Sequence, residues 1–190
     1  YNSYCMIDGK WRVYDVRSNG IATDTHRSLH NLYVDAHLEY RHLNLVRNWA
    51  TITRLDSVNM DRRIDHDCTL TFDDNGQPHA FYVAEVARVK HSYKDGISWK
   101  TDTIYQGNSH FNPATAVVKV GEVWHCVVLD KLNGTIIHIH NSSGEWTHDI
   151  VDHEVQYGRN QCMDLDSQDA THLVYTDNTS DIVNYMTNVS

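Results

Sequence analysis

The sequence predicts an all-β fold, a β-propeller of four blades with four antiparallel strands each. Two internal repeats support this prediction. Short alternating segments that open with a histidine recur every 46 to 49 residues, and tryptophans that follow polar turns recur every 38 to 50 residues. Four strands in about 40–50 residues are typical of one propeller blade. The histidines are His30, His79, His125 and His172, and the tryptophans are Trp11, Trp49, Trp99 and Trp146.

The strands of one blade are clearest in the second repeat. "CTLTFDD" from Cys68 is the first strand, "HAFYVA" from His79 the second and "ARVKHSY" the third, and Trp99 opens the fourth. Apolar, β-branched and aromatic residues at alternate positions favour strands. The Asp-Gly and Ser-Gly pairs supply the positive φ of tight hairpin turns. We expect the tryptophan that follows such a turn to pack between neighbouring blades.

The predicted blades span 18–57, 58–106, 107–152 and 153–190 with 1–17, in a single domain over residues 1–190. The chain opens with the strand "GKWRVYDV" and ends with three strands that lack a tryptophan strand after them. We therefore expect the N-terminal strand to pair with the C-terminal blade and close the ring, which leaves no edge strand. A piece of a larger ring, of about six to eight blades, is the alternative.

The stretch "SYKDGISW" resembles the Asp-box of neuraminidase-type (BNR) repeats, whose pattern is Ser-x-Asp-x-Gly-x-Thr/Ser-Trp. Ser92, Gly96, Ser98 and Trp99 match it, whereas Lys94 stands at the acid position, with the acid one residue later. The resemblance implies propeller architecture. It does not imply sialidase activity, because the arginine triad of those enzymes cannot be assembled here.

The composition limits the function classes. The chain has 190 residues and a net charge of −9, with 41% hydrophobic and 22% charged residues, as in ordinary globular proteins. An acidic chain is a poor ligand for nucleic acid, and no apolar run approaches a membrane span. The chain starts at Tyr1 without a visible signal peptide, so we expect a mature product or a fragment. Four widely spaced cysteines indicate buried thiols or one or two disulfides rather than a zinc site.

Four N-x-S/T sequons favour a secreted, extracellular or virion-surface glycoprotein, because they fall in predicted turns or at the chain end. The candidate glycosylation sites are Asn133, Asn141, Asn178 and Asn188.

The long loops between the fourth strand of one blade and the first strand of the next carry the candidate glycan-binding residues. Aromatic rings stack on sugar faces, and Arg, His and Asn side chains bond sugar hydroxyls; loops on a rigid scaffold often hold such sites. The candidates are Arg62, Arg63, His66, Tyr105, Asn108, His110, Asn112, His153, Tyr157 and Arg159, and the same loops hold Asp65, Phe111 and Glu154.

The histidine content raises the question of a metal. The four repeated histidines are expected to hold turns by bonding backbone carbonyls, since a role repeated in every blade is usually architectural. His138 and His140 lie on one strand face, a geometry compatible with Zn²⁺. The sequence places no acid or cysteine beside them, so we expect no metal and no cofactor.

The sequence favours a secreted, non-catalytic, lectin-like module that binds a carbohydrate or glycoprotein, and homo-oligomerisation is left open. The first alternative is a polysaccharide-degrading enzyme, a lyase or a glycosidase. Some polysaccharide lyases on neuraminidase-type propellers use a His or Tyr base with an Arg, and two groups here offer these types: His66 with Arg62 and Arg63, and His153 with Tyr157 and Arg159. The second alternative is a structural protein of a virion or extracellular assembly.

Overall fold

The computed structural model describes residues 2–7, 10–15, 20–23, 28–34, 38–44, 49–56, 68–84, 87–107, 111–130, 132–153, 155, 161–168, 170–177 and 182–187. Every regular element in these ranges is a β-strand, so the prediction of an all-β chain is confirmed. Within the same ranges there is no helix with the length and apolar character that a membrane crossing needs.

The described strands form one hairpin and four larger antiparallel sheets. The hairpin pairs β1 (Asn2–Ile7) with β2 (Lys10–Asp15). Sheet I contains β3 (Gly20–Thr23), β4 (Leu29–Val34), β5 (Leu38–Asn44) and β6 (Trp49–Asp56). Sheet II contains β7 (Cys68–Phe72), β8 (Pro78–Ala84), β9 (Arg88–Asp95) and β10 (Ser98–Gln106). Sheet III contains β11 (Phe111–Val120), β12 (Val123–Asp130), β13 (Thr135–His140) and β14 (Thr147–Asp152). Sheet IV contains β15 (Gln161–Leu165), β16 (Thr171–Asp177) and β17 (Ile182–Thr187).

Strands that are consecutive in the chain are neighbours in each sheet, and sheets I to III have the predicted four strands. The hairpin turns form where the sequence supplies glycine. Gly96 has φ 62° between β9 and β10, and Gly144 has φ 86° between β13 and β14. A residue with a side chain rarely adopts this region. The prediction for these two turns is confirmed.

Consecutive sheets pack face to face. The first strands of neighbouring sheets contact one another, β3 with β7, β7 with β11 and β11 with β15. The fourth strands of sheets I and II and of sheets II and III also meet. This stacking, with first strands next to first strands and fourth next to fourth, is propeller-like.

Strand β8 has both of its faces covered, and all seven of its residues are buried. Ala80 and Tyr82 belong to the apolar cluster between sheets I and II. Phe81 and Val83 belong to the cluster between sheets II and III. Each large apolar side chain that is fully buried contributes about 1.5–3 kcal/mol, so β8 stabilises two interfaces at once.

Two of the repeated tryptophans occupy the predicted place between sheets. Trp99 packs against the cluster between sheets I and II, with its ring 4.8 Å from the ring of Tyr40. Trp146 packs against the cluster between sheets II and III, 6.4 Å from Phe81. The prediction is therefore confirmed for these two residues.

Three of the four cysteines form no disulfide among the described residues. Cys68 and Cys126 are buried, and Cys162 is exposed. Burial raises the pKa of the Cys126 thiol to about 12, so this thiol is unreactive. Of the two predictions for the cysteines, buried thiols or disulfides, the first is therefore confirmed for Cys68 and Cys126.

The blade count, the ring closure and the single-domain range stay predictions. In the described residues β2 pairs with β1, and β17 is the last strand of sheet IV. The coarser statement, an all-β chain of antiparallel sheets in a propeller-like stack, three of them four-stranded, is what the structure establishes for the described residues.

Gly134 and Gly121 offer a matched test of backbone crowding. Both have positive φ, +61° and +56°, so Ala at either position should cost about 1–2 kcal/mol from backbone strain. A Cβ on Gly134 would also lie 2.9 Å from the carbonyl oxygen of Val155, whereas Gly121 faces open space. We expect Gly134→Ala to reduce the free energy of unfolding by about 1–3 kcal/mol more than Gly121→Ala in urea denaturation. Equal losses would contradict this packing.

Candidate functional site

One end of the sheets holds the buried acids Asp56 and Asp130 together with the buried Lys90. At this end, called the loop-bearing end, β6, β10 and β14 finish and the first strands of the next sheets begin. The long loops singled out from the sequence start here. Loops on a rigid scaffold commonly hold binding and catalytic residues, so this end is the candidate functional site.

A β-bulge occurs at the same place in the fourth strand of sheets I, II and III. The extra residues are Leu55, Ile104 and Val151, and each packs into the apolar cluster on the side of the next sheet. A bulge turns the side chains around it and increases the local twist. In each sheet it is followed by the residue that begins the polar site: Asp56, Tyr105 or Asp152.

The carboxylate of Asp56 links sheet I to sheet II. Its Oδ2 accepts hydrogen bonds from Lys90 Nζ at 2.7 Å and from the Tyr82 hydroxyl at 3.0 Å. The Tyr82 oxygen is 3.0 Å from Ser92 Oγ, which is 2.6 Å from Thr101 Oγ1. Because Tyr82 donates its single proton to the carboxylate, Ser92 donates to Tyr82. Burial, more than the neighbouring carboxylate, raises the pKa of Tyr82.

Asp152 repeats the arrangement between sheets III and IV. Its Oδ2 accepts a hydrogen bond from the hydroxyl of Tyr175, a residue in the same position of β16 as Tyr82 in β8. Burial first, and this bond second, raise the pKa of Tyr175. An Asp–Tyr bond thus joins two pairs of sheets.

Between sheets II and III both members of the pair are different. Tyr105 takes the aspartate's place in β10, and Val128 takes the tyrosine's place in β12. Burial and the charge of Asp130 raise the pKa of Tyr105. The buried carboxylate of Asp130 also accepts bonds from the backbone N–H groups of Leu132 and Asn133, at 3.0 and 3.1 Å. An acid and a tyrosine are still present at this interface, but here the tyrosine, Tyr105, is on sheet II and the acid, Asp130, is on sheet III.

Three of the predicted glycan-binding residues fall within the described structure, all at the loop-bearing end. Tyr105 is half-buried, and its ring lies 4.7 Å from that of His148, edge to face. His153 is exposed, and its backbone N–H donates to Asp152 Oδ1 at 2.8 Å. Asn112 is in β11, paired with Leu129 just before a bulge. Their shared end of the sheets is established, whereas their role in binding stays a prediction.

The other predicted glycan-binding residues lie outside the described residues: Arg62, Arg63, His66, Asn108, His110, Tyr157 and Arg159.

Two candidate glycosylation sites are described and two are not. Asn133 is exposed, and its Nδ2 donates to Asp130 Oδ2 at 2.9 Å. Asn141 is half-buried, and its Oδ1 accepts from the backbone N–H of Trp124 at 2.7 Å. Asn178 and Asn188 lie outside the described residues. Glycosylation stays a prediction at all four.

The repeated histidines bond side chains rather than backbone carbonyls, so the predicted partner is wrong. In every sheet, Nδ1 of the histidine on the second strand lies within hydrogen-bond distance of a ring on the third strand. The two polar rings sit on the same face of neighbouring strands, so they meet directly across the sheet. The pairs are His30 with Tyr40 at 2.5 Å, His79 with His91 at 2.8 Å, His125 with His138 at 2.9 Å and His172 with Tyr185 at 2.6 Å.

An aspartate six residues before the histidine connects it to the turn. Asp73 Oδ1 accepts two backbone N–H groups of its turn, and Asp73 Oδ2 is 3.9 Å from His79 Nε2. Asp166 does the same, with Oδ2 3.2 Å from His172 Nε2. The Asp-x₅-His spacing is visible in the sequence and could have identified this motif.

The stretch His138–His140 gains a third polar neighbour that sequence spacing did not indicate. Asp149 on β14 pairs with His138 across the sheet, so the two share a face. One ligand atom from each of His138, His140 and Asp149 lies within 4.8 Å of the other two. These residues could hold a metal ion.

Comparisons with known proteins identify the fold but no family. No protein-family profile matches the chain, and no curated protein matches its sequence. An engineered GH43 glycoside hydrolase with endo-xylanase and exo-arabinofuranosidase activity has a similar structure, with a TM-score of 0.53 and 8% identity. That likeness covers 88% of this chain and 36% of the enzyme, so the chain spans about a third of its length.

Two further solved structures are similar with lower scores. They are an α-L-arabinanase of Cellvibrio cellulosa, with a TM-score of 0.47, 9% identity and coverage of 88% of this chain and 71% of that one, and an endo-arabinase of Bacteroides thetaiotaomicron, with a TM-score of 0.47, 11% identity and coverage of 88% and 72%. At such identities the likeness concerns the fold.

These comparisons correct the functional expectation. The leading prediction, a non-catalytic lectin-like module that is not an enzyme, is contradicted by the GH43 glycoside hydrolase that shares the fold over 88% of the chain. That structure is a GH43 glycoside hydrolase and not a neuraminidase. The resemblance to neuraminidase-type repeats is therefore confirmed only as a propeller-like fold.

Removing the cation of the Asp56–Lys90 pair should destabilise the fold strongly. Both side chains are buried, so Lys90→Met leaves a carboxylate without its counter-charge, which costs about 3–5 kcal/mol. The double variant Lys90→Met/Asp56→Asn removes both charges and should lose clearly less. Urea denaturation measures both; equal losses would show that the pair does not interact as described.

Stability should fall in mild acid because of His91. Burial, and secondarily His79, lower the pKa of His91 to about 3 from its ordinary 6.5. The unfolded chain therefore binds the extra proton between these values, so the stabilisation is complete above about pH 6.5 and declines below it by about 1.4 kcal/mol per pH unit. His91→Phe should flatten the unfolding free energy between pH 7 and 5, and His153→Asn, at an exposed position, should not. An unchanged slope in His91→Phe would contradict the assignment.

Proposed function

We propose that this chain is part or all of a carbohydrate-cleaving enzyme, a glycosidase on a propeller-like scaffold. The observation that carries the proposal is the likeness in fold to a GH43 glycoside hydrolase over 88% of the chain. This corresponds to the enzymatic alternative drawn from the sequence, with carbohydrate as the partner. Fold alone does not assign activity, so the residues at the loop-bearing end have to supply the chemistry.

Glycoside hydrolysis needs two carboxyl groups on opposite sides of the scissile bond, one as an acid and one as a base or nucleophile. Asp56 and Asp152 are engaged in bonds between sheets, so they suit a supporting role. The loops that follow them carry four further acids, Asp61, Asp65, Asp67 and Glu154. From these acids we assign the catalytic pair to Asp65 and Glu154, one from each loop.

Sugar recognition is assigned to the predicted glycan-binding residues of the same end. Half-buried Tyr105 and exposed His153 lie at the finish of two successive fourth strands, where an oligosaccharide could span both loops. Aromatic and imidazole rings pack on sugar faces, and the loop arginines would bond hydroxyls. The substrates to test first are xylan and arabinofuranosides, after the activities of the GH43 enzyme.

Two finer features belong to the same proposal. A ring of four blades, closed by the N-terminal strand, would hold the loops of successive sheets around one axis. A secreted or extracellular location agrees with the sequons and with a polysaccharide substrate too large to enter a cell.

The test is sugar release from xylan, arabinan and a nitrophenyl α-L-arabinofuranoside. We expect measurable hydrolysis by the wild-type chain, and a loss of about 100-fold or more in kcat for Asp65→Asn and for Glu154→Gln. Asp95→Asn is the matched control, because Asp95 is an exposed acid at the opposite end of the sheets. No release from any of these substrates would overturn the proposed activity. Full activity in both variants would overturn the assignment of Asp65 and Glu154 as the catalytic pair. Unsaturated products would indicate a lyase instead.

A further inference from the structure

A second group of chemically capable side chains lies on β13 and β14 of sheet III. His138 and His140 alternate on one face of β13, and Asp149 is opposite His138 on β14. His140 Nε2 is 3.1 Å from Asp149 Oδ2. The three residues offer ligand atoms within 4.8 Å of one another. This group has no part in the activity proposed above.

One ring nitrogen of His138 has no hydrogen-bond partner among the described residues, and one of His140 is hydrogen-bonded to Asp149, the third proposed ligand. His138 Nε2 is 2.9 Å from Nδ1 of His125, whereas the buried Nδ1 of His138 has no hydrogen-bond partner among the described residues. His140 Nδ1 is 2.7 Å from Ser142 Oγ, whereas its Nε2 faces Asp149. Histidines that bind metals usually have the second nitrogen held in this way, which fixes the tautomer and the ring orientation.

The other sheets lack this combination at the same positions, so it is not part of the repeated architecture. In sheet II, His91 and Asp102 match His138 and Asp149, but Tyr93 replaces the second histidine. In sheet I the positions hold Tyr40, His42 and Thr53.

We propose that His138, His140 and Asp149 bind a divalent transition-metal ion such as Zn²⁺. Two imidazoles and one carboxylate are a common ligand set for zinc, with water in the fourth position. His138 is fully buried, but the side chains of His140 and Asp149 are 14% and 60% exposed. An ion can therefore enter from solvent on the Asp149 side.

The bound ion would join the third and fourth strands of sheet III. Because the ligands come from both strands, binding favours the folded state over the unfolded one. The site lies towards the outer strands of the sheet, away from the first strands, so its expected role is to stabilise the sheet.

The test is Zn²⁺ titration of chelator-treated protein by calorimetry, with Co²⁺ absorption spectra to report the coordination. We expect one ion per chain, and an affinity at least about tenfold lower in Asp149→Asn and in His140→Gln. Asp102→Asn removes the matching acid of sheet II and should leave the affinity unchanged. Zn²⁺ should raise Tm in the wild type and in Asp102→Asn, but not in the two ligand variants.

The chain has fourteen histidines, so the differences between variants decide the result. No saturable binding by the wild type, or the same affinity in Asp149→Asn and Asp102→Asn, would overturn the proposal. Tyr93→His completes the ligand set in sheet II and should add a second ion. Failure to bind that second ion would contradict the inference that these three positions are sufficient.

Discussion

The burial of second strands between two neighbouring sheets is the constraint on which the rest of this structure depends. Strand β8 has no exposed residue, and its side chains alternate between the clusters on either side. A single sheet with two apolar faces cannot bury them alone, so each face has to pack against a neighbouring sheet. The propeller-like stack follows from this requirement.

The same burial decides which polar groups the chain can carry. Most buried polar atoms in proteins are hydrogen-bonded, and two repeated pairs supply many of these bonds here. A histidine bonds a ring on the next strand within each sheet, and an acid bonds a tyrosine between sheets, as Asp56 does with Tyr82. The acid–tyrosine bonds lie at the loop-bearing end, from which Tyr105 and His153 emerge.

The fold was more accessible from the sequence than the site. Strands with alternating apolar residues and positive-φ glycines such as Gly96 are local features, so they can be recognised in a single sequence. The carbonyl partners predicted for the histidines were wrong, because whether a histidine bonds a carbonyl or a ring depends on the register in which the strands pair. Asp149 was missed beside His138 for the same reason, since the two are brought opposite each other only by strand pairing. The catalytic expectation failed because loop composition alone does not distinguish binding a sugar from cleaving it.

Amide hydrogen exchange in β8 and β16 tests the central claim most directly. Both are interior strands of their sheets, so each has backbone bonds on two sides. They differ in their faces: β8 is buried throughout, whereas Val174 of β16 is 38% exposed. Protection that comes from two-sided packing predicts exchange at least about tenfold slower at Ala80 and Tyr82 than at Leu173 and Tyr175. Equal exchange in the two strands would contradict the claim that coverage by neighbouring sheets holds this structure together.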